Sequence, residues 1–181
     1  MTKIIAITGK RGAGKDSAAQ GLYGLDYVHM SFADPLREIV QIAYGITLEE
    51  MLDPVLKEQP VPYYPYLSPR DILTKIGTQG FRDLIDDQTW VQCFLRRASK
   101  LERVVVSDLR FLNEERILRT VDATIIRVVN PNRVDTDEVS QHRSETEMDQ
   151  IVPHFTLIND GTIQDLQRKI KHIVVDISWT E

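Results

Sequence analysis

Two kinds of hydrophobic pattern alternate along this chain. Short runs rich in β-branched residues predict strands, whereas longer segments with apolar residues at three- and four-residue steps predict helices. Because the two patterns alternate from one end to the other, the sequence predicts an α/β fold in which helices cover a parallel sheet. The five predicted strands cover residues 3–8, 27–31, 103–107, 123–129 and 155–158. Most of these runs are almost continuously apolar, which is typical of strands buried on both faces.

The segments with helical spacing cover residues 15–23, 35–44, 69–85, 89–99, 111–120 and 162–175. The last segment has the clearest signature, because Thr162 can cap the helix and Asp165 follows three residues later. Its apolar side chains then repeat along one face at Ile163, Leu166, Ile170 and Ile173. We therefore predict a capped amphipathic helix here.

Two stretches interrupt the alternation of strands and helices. Residues 53–68 are rich in proline and tyrosine, and residues 130–150 are densely charged and nearly free of apolar side chains. In compact domains, long irregular segments of this kind are usually functional lids or disordered. The chain of 181 residues is long enough for one well-buried core and short for two. We therefore expect a single domain, residues 1–181, with a lid-like insertion at residues 130–150.

Composition excludes several classes of function. The net charge of -5 argues against a basic face for a nucleic acid polymer. Cys93 is the only cysteine, so a disulfide framework or a thiolate metal site is excluded, and the four histidines lack the paired spacing of a helical zinc site. The first apolar run is too short for a secretory signal, and no run has membrane-spanning length. We expect a cytoplasmic protein without zinc or a membrane partner.

A glycine-rich loop follows the first predicted strand and opens a helix. Residues 9–17 read Gly-Lys-Arg-Gly-Ala-Gly-Lys-Asp-Ser, which combines glycine freedom for a tight anion-binding turn with a helix amino terminus. Lys15 would reach the β and γ phosphates of ATP. The predicted ATP-binding residues of the loop are Gly9, Arg11, Gly12, Ala13, Gly14, Lys15, Asp16 and Ser17. The alternative is a plain glycine-rich turn between a strand and a helix.

The magnesium position of this loop departs from the usual motif. Ser or Thr should follow the lysine, whereas this chain has Asp16 there and a hydroxyl one place later, at Ser17. Either side chain could reach Mg²⁺ directly or through water. The predicted strand 103–107 ends before Asp108, which should lie at the carboxyl edge of the sheet and contribute to the same metal site. The alternative for Asp108 is a loop or helix-capping carboxylate.

Arg110 follows two residues after Asp108, and its planar guanidinium suits bidentate contact with a phosphate. The alternative for Arg110 is an ordinary surface cation.

These residues resemble those of deoxynucleoside monophosphate kinases of tailed bacteriophages. The form Gly14-Lys-Asp-Ser17 is typical of that family, so Asp16 supports the resemblance. The other matching segments, in family order, are residues 70–78, 90–91, 108–114, 123–129, 142–145 and 158–162. The resemblance implies a three-layer P-loop kinase fold with a five-stranded parallel sheet, ATP and Mg²⁺ as cofactors, a helical acceptor-binding region at about residues 35–100, and a homodimer.

The resemblance also implies roles for individual residues. The residues implied to bind the acceptor nucleotide are Lys10, Arg70, Gly77, Thr78, Trp90, Asp108, Arg110 and Glu114. Those implied to cradle adenine are Asn159, Gly161 and Thr162, and those implied to act in the lid are Arg133, His142 and Arg143. Alternatives stay open: Arg70 could simply begin a helix and face water, Trp90 could belong to the core, residues 159–162 could be ordinary capping, and the lid could be a solvated charged loop.

The predicted activity is in-line transfer of the γ-phosphoryl group of ATP to a deoxynucleoside monophosphate, with Lys15, Arg70, Asp108 and Arg110 as catalytic residues. Because the acceptor phosphate is ionised at neutral pH, no strong general base is needed. A kinase that phosphorylates the hydroxyl of another metabolite is one alternative, and Asp108 would then be the base. A nucleotide-dependent switch or assembly factor is the other.

Overall fold

A computed structural model describes residues 1–132 and 143–178, without the side chains of residues 143–146 and 178. Its centre is a sheet of five strands: β1 (Lys3–Thr8), β2 (Val28–Met30), β3 (Arg103–Val106), β4 (Thr124–Val129) and β5 (Phe155–Ile158). The strand order is β2-β3-β1-β4-β5, and every neighbouring pair is parallel. Helices flank the sheet, so the predicted α/β fold with a five-stranded parallel sheet is confirmed.

The helices, in chain order, are α1 (Lys15–Gln20), α2 (Asp34–Tyr44), α3 (Leu48–Leu52), α4 (Pro69–Thr74), α5 (Thr89–Ala98), α6 (Leu112–Arg119), α7 (Arg143–Gln150) and α8 (Ile163–Ser178). A π-helix covers Lys75–Arg82, and two short 3₁₀ helices cover Tyr23–Leu25 and Leu56–Glu58. Among the described residues, no helix has both the length and the apolar character needed to cross a bilayer.

The chain divides into two compact units. One comprises Met1–Ser31 and Leu95–Glu181 and contains the sheet, and the other is the helical segment Phe32–Phe94. In the first unit, Ile5 and Ile7 of β1 and Val128 of β4 pack with α1 and α8, whose buried residues include Ala18 and Ile170. The prediction of a single domain for the whole chain stays a prediction.

Burial differs between the central and the edge strands. Residues 4–8 of β1 and Val104–Val106 of β3 are all buried. In contrast, Val28 of β2 is 45% exposed and Phe155 of β5 is 40% exposed. Burial on both faces, predicted for most of the strands, is therefore found for β1 and β3, whereas β2 and β5 are partly exposed because they lie at the two edges of the sheet.

The predicted helix over residues 69–85 forms as far as Arg82, but its second half is not an α-helix. An α-helix ends at Thr74 and continues as the π-helix Lys75–Arg82. Gly77 lies in this π-helix, and a Cβ there would come within 2.7 Å of the Leu36 side chain. The π-helix is thus closely packed at this glycine, and π-helical turns occur frequently at functional sites.

Two helices form in stretches where the hydrophobic pattern predicts none. Helix α3 begins with a capping box in which Thr47 and Glu50 exchange hydrogen bonds. Helix α7 lies in the stretch 130–150, where Met148 is buried. Among the four residues of α7 whose side chains are described, 147–150, Met148 alone is buried, which gives no recognisable period. Residues 53–68 contain the short helix Leu56–Glu58 and an isolated bridge between Val61 and Tyr64.

Candidate phosphate-binding and metal site

The glycine-rich loop after β1 has a backbone that only glycine accommodates at two positions. Gly9 has φ +142°, and a Cβ there would lie 2.3 Å from the carbonyl oxygen of Val128. Gly14, which precedes α1, has φ +101°, and its Cβ would lie 2.6 Å from Nδ2 of Asn159. Since both positions combine positive φ with a close neighbour, the loop requires these glycines.

The ammonium of Lys15 lies across this loop. Its Nζ donates to the carbonyl oxygen of Gly9 at 2.5 Å and to that of Lys10 at 2.9 Å. Lys10 itself is exposed and lies 4.0 Å from a carboxylate oxygen of Asp149. A cavity of about 180 Å³ opens beside the loop and is lined by Gly9, Lys10, Asn130 and Asp149, among others. The loop therefore carries two cations, of which Lys10 lines the cavity.

The side chain of Asp16 points to the carboxyl end of the neighbouring strand β3. Its Oδ1 accepts a hydrogen bond from Oγ of Ser107 at 2.6 Å. Ser107 directly follows β3 and directly precedes Asp108, so Asp108 lies at the same edge of the sheet as the loop. The structure thus brings Asp16 together with the segment that carries Asp108, and Ser17 lies half-buried one residue further along α1.

Asp108 is also held by a serine. Oγ of Ser31, the residue after β2, donates to Oδ2 of Asp108 at 2.5 Å. Asp108 is half-buried. Two carboxylates at one sheet edge, each fixed by a serine from the end of a strand, can provide oxygen ligands for a hard cation such as Mg²⁺.

The loop that carries Arg110 is organised by Glu114. Glu114 is only 2% exposed, and its Oε2 accepts hydrogen bonds from the backbone N–H of Arg110 at 3.1 Å and of Phe111 at 3.2 Å. The side chain of Arg110 is exposed. Glu114 therefore stabilises the first turn of α6 and fixes the backbone at Arg110, whereas its contact with a nucleotide stays a prediction.

Asn159, the residue after β5, contacts the glycine-rich loop. Its Nδ2 donates to the carbonyl oxygen of Ala13 at 2.9 Å. Thr162 and Asp165 form a capping box at the start of α8, as the sequence predicted, and Gly161 is exposed. Hydrogen bonds from the hydroxyl and backbone N–H of Thr162 lower the pKa of Asp165. The segment 159–162 thus both supports the loop and caps a helix.

In the helical unit, Arg70 is the second residue of α4. Its Nε and Nη2 both lie 2.6 Å from Oε1 of Glu58, and both side chains are nearly half exposed. The helix begins with a capping box between Ser68 and Asp71, and the backbone N–H and hydroxyl of Ser68 lower the pKa of Asp71. Arg70 is therefore an ion-paired arginine on a well-capped helix, with its guanidinium accessible to solvent.

Trp90 belongs to the core of the helical unit. It is 4% exposed, its Nε1 donates to the carbonyl oxygen of Gly77 at 2.9 Å, and its ring centroid lies 4.9 Å from that of Phe81. This burial agrees with the alternative that Trp90 is a packing residue. Gly77 is buried and Thr78 is half-buried in the π-helix. Direct contact of these three residues with a nucleotide stays a prediction.

The residues assigned to a lid fall mostly outside the described part of the chain. Arg133 and His142 lie outside it, and Arg143 begins α7 without a described side chain. Arg127 is described: its Nη2 donates to the carbonyl oxygens of Met148 at 2.9 Å and Ile151 at 2.6 Å. Arg127 therefore anchors the carboxyl end of α7 to β4.

Sequence reasoning missed three polar residues at this sheet edge: His29, Ser31 and Ser107. Nε2 of His29 lies 2.8 Å from Oγ of Ser107. None of the three belongs to a recognised motif. A usable signal was nevertheless present, because Ser31 and Ser107 end predicted strands, and in a parallel sheet such positions meet at the edge where ligands bind.

The comparisons with known proteins agree on one family. A family model described as deoxynucleotide monophosphate kinase matches residues 62–170, which is more than half of the chain. A protein of Acanthamoeba polyphaga mimivirus, provisionally named deoxynucleotide monophosphate kinase, is 27% identical over 184 residues, covering 92% of this chain and 93% of its own. The deoxynucleotide monophosphate kinase of Escherichia phage RB69 is 29% identical over 110 residues, covering 58% of this chain and 44% of its own.

Solved structures with the same fold are P-loop kinases. Shikimate kinase from Acinetobacter baumannii in complex with shikimate superposes with a TM-score of 0.52 at 14% identity, covering 97% of this chain and 94% of that one. Dephospho-CoA kinase from Campylobacter jejuni gives a TM-score of 0.51 at 13% identity and covers 97% of both chains. At such identities the similarity shows the fold alone, and the predicted P-loop kinase fold is confirmed.

Proposed function

The chain belongs to the deoxynucleotide monophosphate kinase family, and from this premise we propose that it transfers the γ-phosphoryl group of ATP to the phosphate of a deoxynucleoside 5′-monophosphate. The products are ADP and a deoxynucleoside diphosphate. The observation that carries the proposal is the sheet edge at which the loop with Lys15 meets Asp16 and the segment with Asp108. Phosphoryl transfer requires positioning and charge neutralisation above all, and the residues at this edge have the charges and the placement that suit both.

The donor phosphates are assigned to the glycine-rich loop. Its backbone N–H groups and the Lys15 ammonium suit the β and γ phosphates of ATP. In the structure, Lys15 donates to two carbonyl oxygens of the loop, and we propose that phosphate oxygens replace at least one of these acceptors when ATP binds. Asn159 supports the loop through its hydrogen bond to the carbonyl oxygen of Ala13. We propose that the segment with Gly161 and Thr162 borders the adenine.

The residues present fit Mg²⁺. Mg²⁺ prefers oxygen ligands and is usually bound through one or two carboxylates together with substrate phosphates and water. Asp16 and Asp108 are the carboxylates, and Ser17 contributes a hydroxyl on the same helix as Asp16. When bound, the ion would neutralise charge on the β and γ phosphates. Asp16 and Asp108 would orient the triphosphate through it.

The acceptor phosphate is assigned to arginines. We propose that Arg70 binds it through the N–H groups of its planar guanidinium and that Arg110 and Lys10 contribute further positive charge. Glu114 acts by fixing the backbone at Arg110, and Trp90 acts by holding the π-helix that carries Gly77 and Thr78. An ionised phosphate is already a nucleophile, so Asp108 is not required to remove a proton. The lid residues Arg133, His142 and Arg143 are proposed to cover the transferring group.

The test is a screen for ADP release from ATP and Mg²⁺, with each deoxynucleoside and ribonucleoside monophosphate as acceptor. We expect release to depend on at least one deoxynucleoside monophosphate and to be lost in Asp108→Asn. Release that depends on a metabolite alcohol but on no monophosphate would contradict the proposal, and so would hydrolysis that no monophosphate affects. The same screen gives the base preference and the discrimination against ribose.

A further inference from the structure

Asp16 lies at the end of a chain of three hydrogen bonds. The hydroxyl of Tyr23 lies 3.1 Å from Nδ1 of His29, Nε2 of His29 lies 2.8 Å from Oγ of Ser107, and this oxygen lies 2.6 Å from Oδ1 of Asp16. The four residues come from a 3₁₀ helix, an edge strand, the end of β3 and helix α1. Tyr23 and His29 are exposed, whereas Ser107 is only 4% exposed. This series of hydrogen bonds therefore runs from the surface to the carboxyl edge of the sheet.

The direction of each bond follows from its donors and acceptors. A carboxylate only accepts, so the single proton of the Ser107 hydroxyl is donated to Asp16. The Ser107 oxygen must then accept from His29, which places a proton on Nε2 of the imidazole. In the neutral ring this leaves Nδ1 as an acceptor for the Tyr23 hydroxyl. Each of the three hydrogen bonds is thus donated in the direction of Asp16.

The consequence is that Ser107 is not a freely rotating hydroxyl. A serine hydroxyl has several staggered positions and can turn to suit its partners. Here the N–H of His29 fixes one lone pair of Ser107, and this leaves the hydroxyl proton aimed at Asp16. The exposed carboxylate of Asp16 is therefore oriented by a buried group, which in turn is oriented by His29.

We propose that Ser107 and His29 are positioning residues for Asp16, which hold its carboxylate in the orientation that binds MgATP. The inference rests on the proposed function, in which Asp16 contributes to the Mg²⁺ site. Residues that orient a metal ligand through hydrogen bonds typically change metal affinity or activity by about 10- to 100-fold when they are replaced. Neither residue contacts the nucleotide in this account, so their effect should appear only when Mg²⁺ is present.

The experiment measures the dissociation constant of ATP for the full chain by calorimetry, once with Mg²⁺ and once with EDTA, without acceptor. The ratio of the two constants is the Mg²⁺-dependent gain in affinity. We expect Ser107→Ala and His29→Ala to reduce this gain about tenfold while leaving the constant in EDTA unchanged. His29→Gln should retain the gain, because its amide can donate from nearly the position of Nε2. His172→Ala, at an exposed histidine of α8, is the matched control.

A double-mutant cycle with Asp16→Asn separates positioning from a general effect on the fold. If Ser107 acts through Asp16, adding Ser107→Ala to Asp16→Asn should cause no further loss of the Mg²⁺-dependent gain. A further tenfold loss in that background would overturn the inference. The inference would also be overturned if Asp16→Asn reduced the Mg²⁺-dependent gain in affinity while Ser107→Ala and His29→Ala both kept it in full. The proposed function would stand in that case. If Asp16→Asn itself leaves the gain intact, the metal assignment of the proposed function fails and the inference fails with it.

Discussion

At the residue scale, a small number of side chains fixes the charged groups of the candidate site. Two serines fix the two carboxylates of the candidate metal site, and a buried glutamate fixes the backbone at Arg110. In the helical unit, Arg70 is paired with Glu58 through two nitrogen atoms at 2.6 Å. A half-exposed ion pair of this kind contributes little to stability, so Arg70 can exchange Glu58 for a phosphate at small cost.

Replacement of Arg70 by alanine should therefore affect the acceptor and not ATP. We expect the KM for the monophosphate to rise and kcat to fall, with a combined loss in kcat/KM of about 30-fold, since a charged hydrogen bond is worth about 2 kcal/mol. The dissociation constant of ATP should stay within about twofold of the wild-type value. Steady-state kinetics with one substrate varied at a time, together with calorimetry, measure both quantities.

The matched control is Arg168→Ala, which removes another ion-paired arginine, one that is 68% exposed on α8. It should leave both substrates unaffected. A selective loss of ATP binding in Arg70→Ala would show that Arg70 serves the donor and not the acceptor.

The residues of the site were predictable from sequence to different degrees. Lys15, Asp16 and Asp108 stand in recognisable positions after apolar strands, so their approach to one sheet edge followed from the pattern alone. The bonds from Ser107 to Asp16 and from Ser31 to Asp108 were not predicted. These pairs are 91 and 77 positions apart, and their contact depends on the strand order β2-β3-β1, which hydrophobic periodicity does not determine.

At the element scale, the pattern predicted elements with many buried residues and missed those with few. Helix α8 was predicted because its apolar face repeats over several turns, and its capping box is formed as expected. In helix α7, Met148 is the one buried side chain among the described residues 147–150, and Arg127 of β4 donates hydrogen bonds to the carboxyl end of the helix. The π-helix after α4 depends on tight packing at Gly77, which a short-range pattern does not encode.

The junction of β4 and β5 contains a titratable group with a predictable effect. The backbone N–H of Ile125 donates to Nδ1 of His154 at 2.9 Å, and the backbone N–H of His154 donates to the carbonyl oxygen of Ile125 at 2.8 Å. Partial burial, with the nearby Arg119 charge as a second cause, lowers the pKa of His154 below its ordinary value of 6.5. The folded state therefore disfavours the protonated ring, which also could not accept from Ile125.

The sign of the pH dependence follows from linkage. Below about pH 6.5 the unfolded chain binds a proton at His154 more readily than the folded chain, so this contribution to stability is fully present above pH 6.5 and is lost as the pH falls. We expect His154→Asn to reduce the difference in free energy of unfolding between pH 7.5 and pH 5.5, because the amide oxygen can accept from Ile125 and does not titrate. Urea denaturation at the two pH values measures this difference.

His172→Asn serves as the control for the loss of an exposed histidine and should keep the wild-type difference. An unchanged difference in His154→Asn would show that His154 does not carry this part of the pH dependence.

At the scale of the whole molecule, fold and family give different amounts of information. The five-stranded parallel sheet and the superposition on kinases at 13–14% identity show a P-loop kinase fold, which serves many acceptors. The family match over residues 62–170 covers the second half of the helical unit and continues into α8. It therefore includes Arg70 and Arg110, to which the proposal assigns the acceptor phosphate, and Asp108, to which it assigns Mg²⁺.

The most direct test of the central claim follows the phosphoryl group itself. ATP labelled in the γ-phosphate is incubated with the protein, Mg²⁺ and the deoxynucleoside monophosphate that gives most ADP, and the products are separated by chromatography. The account predicts that the label appears in the β-phosphate of the deoxynucleoside diphosphate, in an amount equal to the ADP formed, and that Lys15→Ala abolishes the transfer. Label recovered as inorganic phosphate, with no labelled diphosphate for any monophosphate supplied, would contradict it.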